Sequence, residues 1–249
     1  MDSNIVAFAK ILSARPASTP TDRTPEQTVR PFTIRTAGAG PERDLAGQLL
    51  QERYNWRGYR TVTLPTDQTG FRTTLCANDA ERTIGTLTLE LDGAAGLAAD
   101  KAFGDVVDRL RDQGRRAAEF TRLAVDPGVS SPQVLAALFH VGYIVAYRIR
   151  RYDTLLLEVN PRHVRFYERM LGCEVIGSER THPGVGAPAV LLSARFEFIR
   201  DQIGVWGGQP EQAGRARSLY PFAFSEEDEL GILNRLLMAQ GEPEAALLN

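Results

Sequence analysis

Residues 117–128 form a short apolar stretch with two charged side chains that could do acid–base chemistry. Small, β-branched and apolar residues fill it, and Asp126-Pro127-Gly128 ends it, which is typical of a buried strand and its turn. Glu119 lies inside this stretch, and Arg122 follows three positions later. A buried charge is unfavourable unless it is paired or used. Glu119 could therefore be a general base whose pKa is raised by burial, and Arg122 could position an anionic substrate.

The spacing of these two charges leaves a second interpretation open. Positions i and i+3 lie on opposite faces of a regular strand, so both reach one cleft only where the strand bulges or twists. Without such a bulge, Glu119 and Arg122 are a structural ion pair or two solvated edge charges. The sequence alone supports both interpretations.

Residues 154–177 hold a second group of candidates. The apolar run at residues 154–159 predicts a central strand, Asn160-Pro161 leads into a helix over residues 162–171, and Gly172 ends it. On this helix Tyr167 could be a packing residue. His163 could be a polar residue at the start of the helix, a ligand or a base.

The rest of the chain predicts the elements that hold these residues. Residues 1–30 end in a stretch rich in Pro, Ser and Thr and are expected to be a flexible segment. Residues 31–200 predict one α+β domain, and residues 201–249 a C-terminal extension with one helix. Further strands are expected at residues 32–35, 71–77, 83–91, 173–176 and 189–196, and helices from Pro41, over residues 103–111 and from Pro132 to Ile149.

Composition excludes several classes of protein. The 249 residues are 43% apolar and 24% charged with a net charge of −2, so no basic field points to nucleic acid. Two cysteines and three histidines provide neither a disulfide framework nor a metal site and suggest a reducing, cytoplasmic setting. No apolar run approaches the roughly 18 residues that span a bilayer, so no transmembrane segment is expected.

The motifs taken together resemble the long-chain N-acyl amino acid synthases, which are GNAT-like acyltransferases related to the acyl-homoserine-lactone synthases. The resemblance covers roughly residues 31–240. It rests on YNWRGY at residues 54–59, EFTRLAVD at 119–126, VNPRHVRFY at 159–167, PAVLL at 188–192 and YPFAFS at 220–225.

This resemblance implies a fold and an activity. The fold would be a mixed, mostly antiparallel sheet, splayed between the strands at residues 117–125 and 154–159, with helices on both faces. The enzyme would move a long fatty acyl chain from acyl carrier protein to the α-amine of an amino acid. A homoserine-lactone synthase and a non-catalytic module that binds acyl carrier protein or lipid are the alternatives.

The same resemblance suggests a role for each site residue. Glu119 would be the base, Arg122 would hold a carboxylate or order the region around Glu119, and Tyr167 would reprotonate the departing thiol. Main-chain N–H groups between Phe120 and Leu123 would stabilise the oxyanion. Substrate contacts are expected at Arg53, Trp56, Phe120, Leu123, Asn160 and His163.

The turn after residues 117–125 bears on the acyl donor. GNAT enzymes that use coenzyme A carry a glycine-rich loop here, whose N–H groups hold the pyrophosphate. In this chain residues 126–133 contain one glycine, Gly128, between two prolines that lack N–H donors. No cofactor is therefore expected, and acyl carrier protein is the expected donor. Arginines 148, 150, 151, 162, 165 and 169 could form a basic docking face for that acidic protein or a solvated helix face.

Overall fold

A computed structural model describes residues 31–38, 41–55, 63–64, 70–79, 82–129 and 131–240. The expected flexible segment, residues 1–30, lies outside this part of the chain. A seven-stranded sheet in the order β1-β2-β3-β4-β5-β7-β6 forms the centre. The strands are β1 (Thr33–Thr36), β2 (Arg72–Asp79), β3 (Arg82–Leu91), β4 (Ala117–Val125), β5 (Thr154–Val159), β6 (Glu174–Thr181) and β7 (Pro188–Arg195).

Helices cover both faces of this sheet, as predicted. Ser131 caps one of them by accepting a hydrogen bond from the Gln133 N–H, and left-handed Gly172, with φ of 69°, ends another. The described helices are α1 (Pro41–Asn55), α2 (Asp100–Asp112), α3 (Pro132–Tyr143), α4 (Val164–Leu171), α5 (Phe196–Trp206), α6 (Ala213–Ala216) and α7 (Glu226–Gln240).

Strand pairing confirms the mixed, mostly antiparallel sheet. Every neighbouring pair is antiparallel except β4 and β5, which are parallel. These two strands pair only where Ala117, Ala118 and Glu119 face Thr154, Leu155 and Leu156. Beyond Glu119 the strands separate, so the sheet is splayed there; we call this gap the wedge.

The closed end of the wedge is held by Asp153. Its carboxylate forms an ion pair with Arg115 at 2.7 Å and accepts a hydrogen bond from the Arg116 main-chain N–H. Its main-chain N–H donates to the Arg116 carbonyl, and its carbonyl accepts from the Phe196 N–H. These bonds hold β4, β5 and the start of α5 together at one point.

A bulge lies in β4 at the wedge. Thr86 faces Ala124 and Thr88 faces Thr121, so two residues of β4, Arg122 and Leu123, oppose one residue of β3. Arg122 has a φ of 50°, which is rare for a residue with a side chain. The bulge that would let both Glu119 and Arg122 reach one cleft is therefore present.

The alternation of side chains along β4 places Glu119 and Phe120 on opposite faces. Phe120 belongs to the larger apolar core under α3, together with Leu87, Phe139 and Phe196. Glu119 lies on the other face, where α2 packs over Ala117, Leu156, Ala189 and Leu191.

The sequence predicts no apolar run near the roughly 18 residues that span a bilayer, and the helix that begins with α3 differs from this expectation. It continues through a π-helical segment, Ile144–Ile149, and reaches 18 residues. It is the one helix in the described part of the chain that is long and apolar enough, by length and composition, to cross a membrane. Two thirds of it is buried inside the protein, because it is the central helix of the larger core.

The C-terminal residues pack on this same helix. His140 accepts a hydrogen bond from the Phe224 N–H at its Nδ1 and contacts Glu229 through its Nε2, 3.0 Å away. Glu229 also pairs with Arg148. The segment after residue 200 thus contains the end of α5, then α6 and α7, and its apolar residues join the larger core.

Two element boundaries differ from the prediction by three residues or more. α2 begins at Asp100, three residues before the predicted start, because its first turn contains polar residues. β6 continues to Thr181 instead of ending at Ile176. It is an edge strand with several exposed positions, so its second half carries no alternation of apolar residues.

Candidate active site

A cavity of about 250 Å³ occupies the wedge. Its lining comes from β4, β5, the first turns after β5 and the loop between β6 and β7. Seven predicted site residues meet there: Glu119, Phe120, Arg122, Leu123, Asn160, His163 and Tyr167. Arg53, at the end of α1, is not among the lining residues, and Trp56 lies outside the described residues.

Glu119 is the most buried charged group of the site, with none of its surface exposed. Its Oε2 accepts a hydrogen bond from the Ala99 main-chain N–H at 2.9 Å. Its Oε1 is buried and has no hydrogen-bond partner in the part of the chain that the structure describes. Burial raises the pKa of Glu119 to about 8, with smaller contributions from the charges of Glu90 and Glu158.

The loop that presents the Ala99 N–H is fixed by ion pairs. Arg111 binds Asp92 and Asp100 at 2.7 and 2.8 Å. Asp100 in turn accepts a hydrogen bond from the Leu97 N–H at 2.7 Å. Arg111 therefore holds the start of α2 over β4 and, through Ala99, the carboxylate of Glu119.

Arg122 is paired with Glu90, not with Glu119. Its Nη1 lies 2.7 Å from Glu90 Oε1 and donates to Thr121 Oγ1, and its Nε donates to the Thr63 carbonyl. Arg72 also binds Glu90, at 3.2 Å. Arg122 thus holds the bulge against β3, while its side chain remains part of the cavity wall.

Glu158 is a second carboxylate of the cavity. It lies on the same sheet face as Glu119, because Glu119 pairs with Leu156 and Glu158 follows two residues later. Burial raises its pKa to about 7, and Lys101 partly opposes this shift. His182 Nε2 lies 3.7 Å from Glu158 Oε1. Because the Gly184 N–H donates to His182 Nδ1, the neutral ring carries its proton on Nε2, towards Glu158.

The three predicted residues after β5 sit at one edge of the cavity. Asn160 caps the turn Pro161–His163 by accepting from the Arg162 N–H, and its Nδ2 donates to the Pro188 carbonyl. His163 Nε2 accepts from Arg162 Nε at 3.2 Å. Tyr167 lies edge-on to Phe139, with the ring centres 6.5 Å apart.

An apolar pocket of about 30 Å³ lies beside the cavity on the α3 side of the sheet. Phe120 and Phe139 line both spaces and separate them. The far wall of the pocket consists of Tyr143, Leu155, Leu171, Phe196, Ile199, Ile203 and Leu219. A slender apolar group could therefore pass from the cavity into the core only if these two phenylalanine rings move.

The turn after β4 binds its own N–H groups. The Gly128 N–H donates to Asp126 Oδ1 at 2.8 Å, and the Val129 N–H donates to the Asp126 carbonyl. Asp126 also pairs with Arg82. The carboxylate of Asp126 thus lies within this turn and accepts one of its N–H groups.

The described residues contain no group of three His, Cys, Asp or Glu that could hold a metal ion.

Sequence reasoning missed Glu158, His182, Glu90 and Ala99. Glu158 carried a usable signal, since it is a charge inside an apolar strand like Glu119. Glu90 ends an alternating strand and carried the same signal in a weaker form. His182 and the Ala99 N–H carried none, because their place depends on a loop and on a helix start that only the fold brings to the wedge.

Comparison with known proteins places the chain in a family. The family model of the N-acyl amino acid synthase FeeM matches residues 46–195, which are 150 of the 249 residues. The structure of FeeM, an N-acyl amino acid synthase from uncultured soil microbes, is similar with a TM-score of 0.60 and 26% identity. The match covers 68% of this chain and 93% of that one.

Two other solved structures are similar at lower scores. A putative N-acetyltransferase from Lactobacillus plantarum has 16% identity and a TM-score of 0.48, over 66% of this chain and 98% of its own. Escherichia coli ElaA has 10% identity and a TM-score of 0.49, over 65% and 97%. No curated protein sequence matches the chain. On the family match, the chain belongs to the FeeM family of N-acyl amino acid synthases and is an acyltransferase with the GNAT fold.

Proposed function

We propose that this acyltransferase moves a long fatty acyl chain from acyl carrier protein to the α-amine of an amino acid, with Glu119 as the base. The observation that carries this proposal is the carboxylate of Glu119, fully buried at the splayed strands with one oxygen unpartnered among the described residues. The bound acceptor would arrive as an ammonium ion, and a base with a raised pKa can take its proton near neutral pH.

The acyl transfer itself would take place in the wedge. The free amine attacks the thioester carbonyl carbon, and collapse of the tetrahedral intermediate breaks the carbon–sulfur bond. The thiolate takes a proton from Tyr167, and the second proton that the nitrogen loses as the amide forms restores Tyr167. Because β4 has no pairing with β5 beyond Glu119, main-chain N–H groups between Phe120 and Leu123 are available to stabilise the oxyanion.

The apolar pocket supports a long acyl chain. It lies behind Phe120 and Phe139, and most of its lining residues are apolar, so a chain that displaces these two rings would enter an apolar core. The acyl tail would then lie on the α3 side of the sheet and the acceptor on the α2 side.

Arg162 supports an acceptor with a carboxylate. Of the cavity arginines, Arg122 already binds Glu90, whereas Arg162 is exposed, and its side chain makes one hydrogen bond within the described part of the chain, from Nε to His163. Its remaining N–H groups can bind a carboxylate in two-point fashion. We assign to Arg122 the role of ordering the bulge beside Glu119.

Two features support acyl carrier protein as the donor. The Gly128 and Val129 N–H groups of the turn after β4 already donate to Asp126, so they are not free to bind a pyrophosphate. Arg162, Arg165 and Arg169 are exposed at helical spacing beside the cavity, so an acidic carrier could dock there. Arg148 is less suited to that role, because it pairs with Glu229.

The two buried free cysteines fit a reducing, cytoplasmic setting.

The test uses the purified chain with dodecanoyl or hexadecanoyl acyl carrier protein and a mixture of the common amino acids. Mass spectrometry should find N-acyl amino acids in which the acyl chain comes from the carrier protein. Glu119→Gln should lower turnover by about a hundredfold or more with an unchanged circular dichroism spectrum.

Four results would overturn parts of this proposal. Equal turnover with the same acyl groups on coenzyme A would remove the carrier protein as the specific donor. A lactone formed from added S-adenosylmethionine would identify a different acceptor. Binding of the carrier without loss of the thioester would remove acyl transfer, and near-normal turnover of Glu119→Gln would remove the base.

A further inference from the structure

Three glutamates form a row across the centre of the sheet on the α2 face. Glu90 on β3 faces Glu119 on β4 directly, and Glu158 on β5 lies two residues beyond the partner of Glu119. Of the three, Glu90 alone has arginine partners among the residues that the structure describes, Arg72 and Arg122. The other two carboxylates line the cavity without an arginine or lysine within ion-pair distance among the described residues.

One atom in this row, Oε1 of Glu119, indicates that a ligand binds here. Glu119 Oε1 is completely buried, has no hydrogen-bond partner in the described chain, and belongs to a side chain that lines the cavity. A buried carboxylate oxygen without a partner is costly unless a bound molecule supplies a donor. When Glu119 is ionised, the missing group is therefore a donor, and the two carboxylates without an arginine or lysine partner among the described residues favour a positively charged one.

We propose that Glu119 and Glu158 together form a two-carboxylate pocket that takes the acceptor as its ammonium ion, with His182 holding Glu158 in place. This inference rests on the proposed acylation of an amine. It adds a second residue that contacts the acceptor, Glu158, and defines the acceptor by its ammonium group.

The chemistry of this pocket follows from the number of protons. An ammonium ion has three N–H groups, so it can donate to Glu119 Oε1 and to Glu158 at the same time. One proton then passes from the nitrogen to Glu119 Oε1, and the nitrogen lone pair attacks the thioester. Glu158 keeps its hydrogen bond to the amine during this step.

The charge of Glu158 also strengthens the base. The carboxylate of Glu158 faces three groups: Glu119 on β4, Lys101 on α2 and His182 in the β6–β7 loop. Its negative charge raises the pKa of Glu119, whereas Arg122 and the Ala99 N–H lower it. Removing the charge of Glu158 should therefore make Glu119 a weaker base.

His182 is a positioning residue in this proposal. The Gly184 N–H holds Nδ1, so the Nε2–H group points to Glu158. Burial lowers the pKa of His182, which favours the neutral ring, and the bond from the Gly184 N–H fixes its tautomer. Because glutamine can place a donor near the position of Nε2, His182→Gln should retain more function than His182→Ala.

The first test needs no acyl transfer. Carboxyl carbons of ¹³C-labelled glutamate are followed by NMR in a pH titration of the full chain, with and without n-propylammonium chloride. Glu158→Gln should lower the pKa of Glu119 by about one pH unit. n-Propylammonium should shift the Glu119 signal in the wild type and do so more weakly in Glu158→Gln, while tetramethylammonium, which has no N–H group, should not.

The matched control is Glu174→Gln, which removes the same charge from an exposed position on β6. It should titrate and bind like the wild type. An unchanged Glu119 titration in Glu158→Gln, or equal shifts with both ammonium ions, would overturn the pocket. This outcome is distinct from failure of the proposed function, which is measured by product formation.

The second test is kinetic. At saturating acyl carrier protein, Glu158→Gln should raise the KM for the amino acid about tenfold or more and move the acidic limb of kcat/KM to lower pH. His182→Ala should move both in the same direction, and His182→Gln should restore them in part. A lower kcat with an unchanged KM and pH profile would show that Glu158 acts only in folding, and would overturn the proposal.

Discussion

The Ala99 N–H donates to Oε2 of Glu119 at 2.9 Å, so one oxygen of the buried carboxylate is held by the main chain and the other is left for a ligand. This bond links the start of α2 to the middle of β4. It fixes the orientation of the carboxylate without neutralising its charge. The pKa of Glu119 therefore stays raised while its position is defined.

The stability of the protein should depend on the protonation of Glu119. Burial raises its pKa from an ordinary 4.5 to about 8, so between these values the folded protein keeps a proton that the unfolded chain releases. The contribution of this group therefore falls as pH rises through that window, by at most about 1.4 kcal/mol per pH unit. We expect Glu119→Gln to be more favourable relative to the wild type at pH 8 than at pH 5, as measured by urea unfolding.

The control for this measurement is again Glu174→Gln, whose carboxylate is exposed. Its difference from the wild type should not change over the same pH range. A difference for Glu119→Gln that stays constant from pH 5 to pH 8 would mean that Glu119 ionises normally in the folded protein.

Arg111 should affect catalysis from a distance. Arg111→Met removes the bonds to Asp92 and Asp100 that hold the loop before α2, so the Ala99 N–H should bind Glu119 less firmly. Because this N–H lowers the pKa of Glu119, its loss should move the acidic limb of kcat/KM to higher pH. Arg109→Met, which loses an exposed pair with Asp105, is the control and should leave the profile in place.

Gly142 should control the space available to the acyl chain. A Cβ atom at this position in α3 would lie 2.7 Å from Cζ of Phe120, so Gly142→Ala must displace the ring. Overpacking of this kind costs about 1–3 kcal/mol. We expect lower stability and a changed preference between dodecanoyl and hexadecanoyl donors.

Gly104→Ala provides the comparison for that variant, because a Cβ there meets open space on α2. It should keep the wild-type donor preference and gain helix stability of about 0.5–1 kcal/mol. The same donor preference in both alanine variants would contradict a path for the acyl chain past Phe120.

The arginines of α4 should act on the carrier and not on the chemistry. The double variant Arg165→Glu, Arg169→Glu should raise the KM for acyl carrier protein about tenfold or more at low salt, and this difference should shrink as salt is added. Turnover of the same acyl group on free pantetheine should not change. Arg215→Glu, on exposed α6, serves as the control, and an equal effect of both variants would indicate a nonspecific effect of charge.

Much of the fold was predictable, because the strands near the centre carry strong patterns. The apolar run of β5 and the alternation of β3 follow from burial on one or both faces, and Gly172 marked the end of α4 by its left-handed backbone. The second half of β6 was missed because an edge strand needs no apolar face. The partner of Arg122 was also unpredictable, since Glu90 reaches it only through the pairing of β3 with β4.

The placement of Glu119 in a cleft was predictable only as one of two alternatives. Its type and its apolar surroundings are visible in the sequence, but the bulge at Arg122 and Leu123 depends on how β3 pairs with β4. The separation of β4 from β5 after three residue pairs is likewise a property of the assembled sheet. Residues in loops, such as His182, reach the site only through the tertiary fold, so the sequence carries no signal for them.

The bonds of Asp153 fix the closed end of the wedge, where β4 and β5 remain joined. The two strands pair from Ala117 to Glu119 and separate beyond it. A larger molecule should therefore fit more easily at the open end of the wedge than near Ala117. Replacements at the rim, around Arg162 and Val185, should therefore alter the size of acceptor that fits while the carboxylate of Glu119 stays where it is. Such an arrangement allows one scaffold to diversify its products without rebuilding its reactive centre.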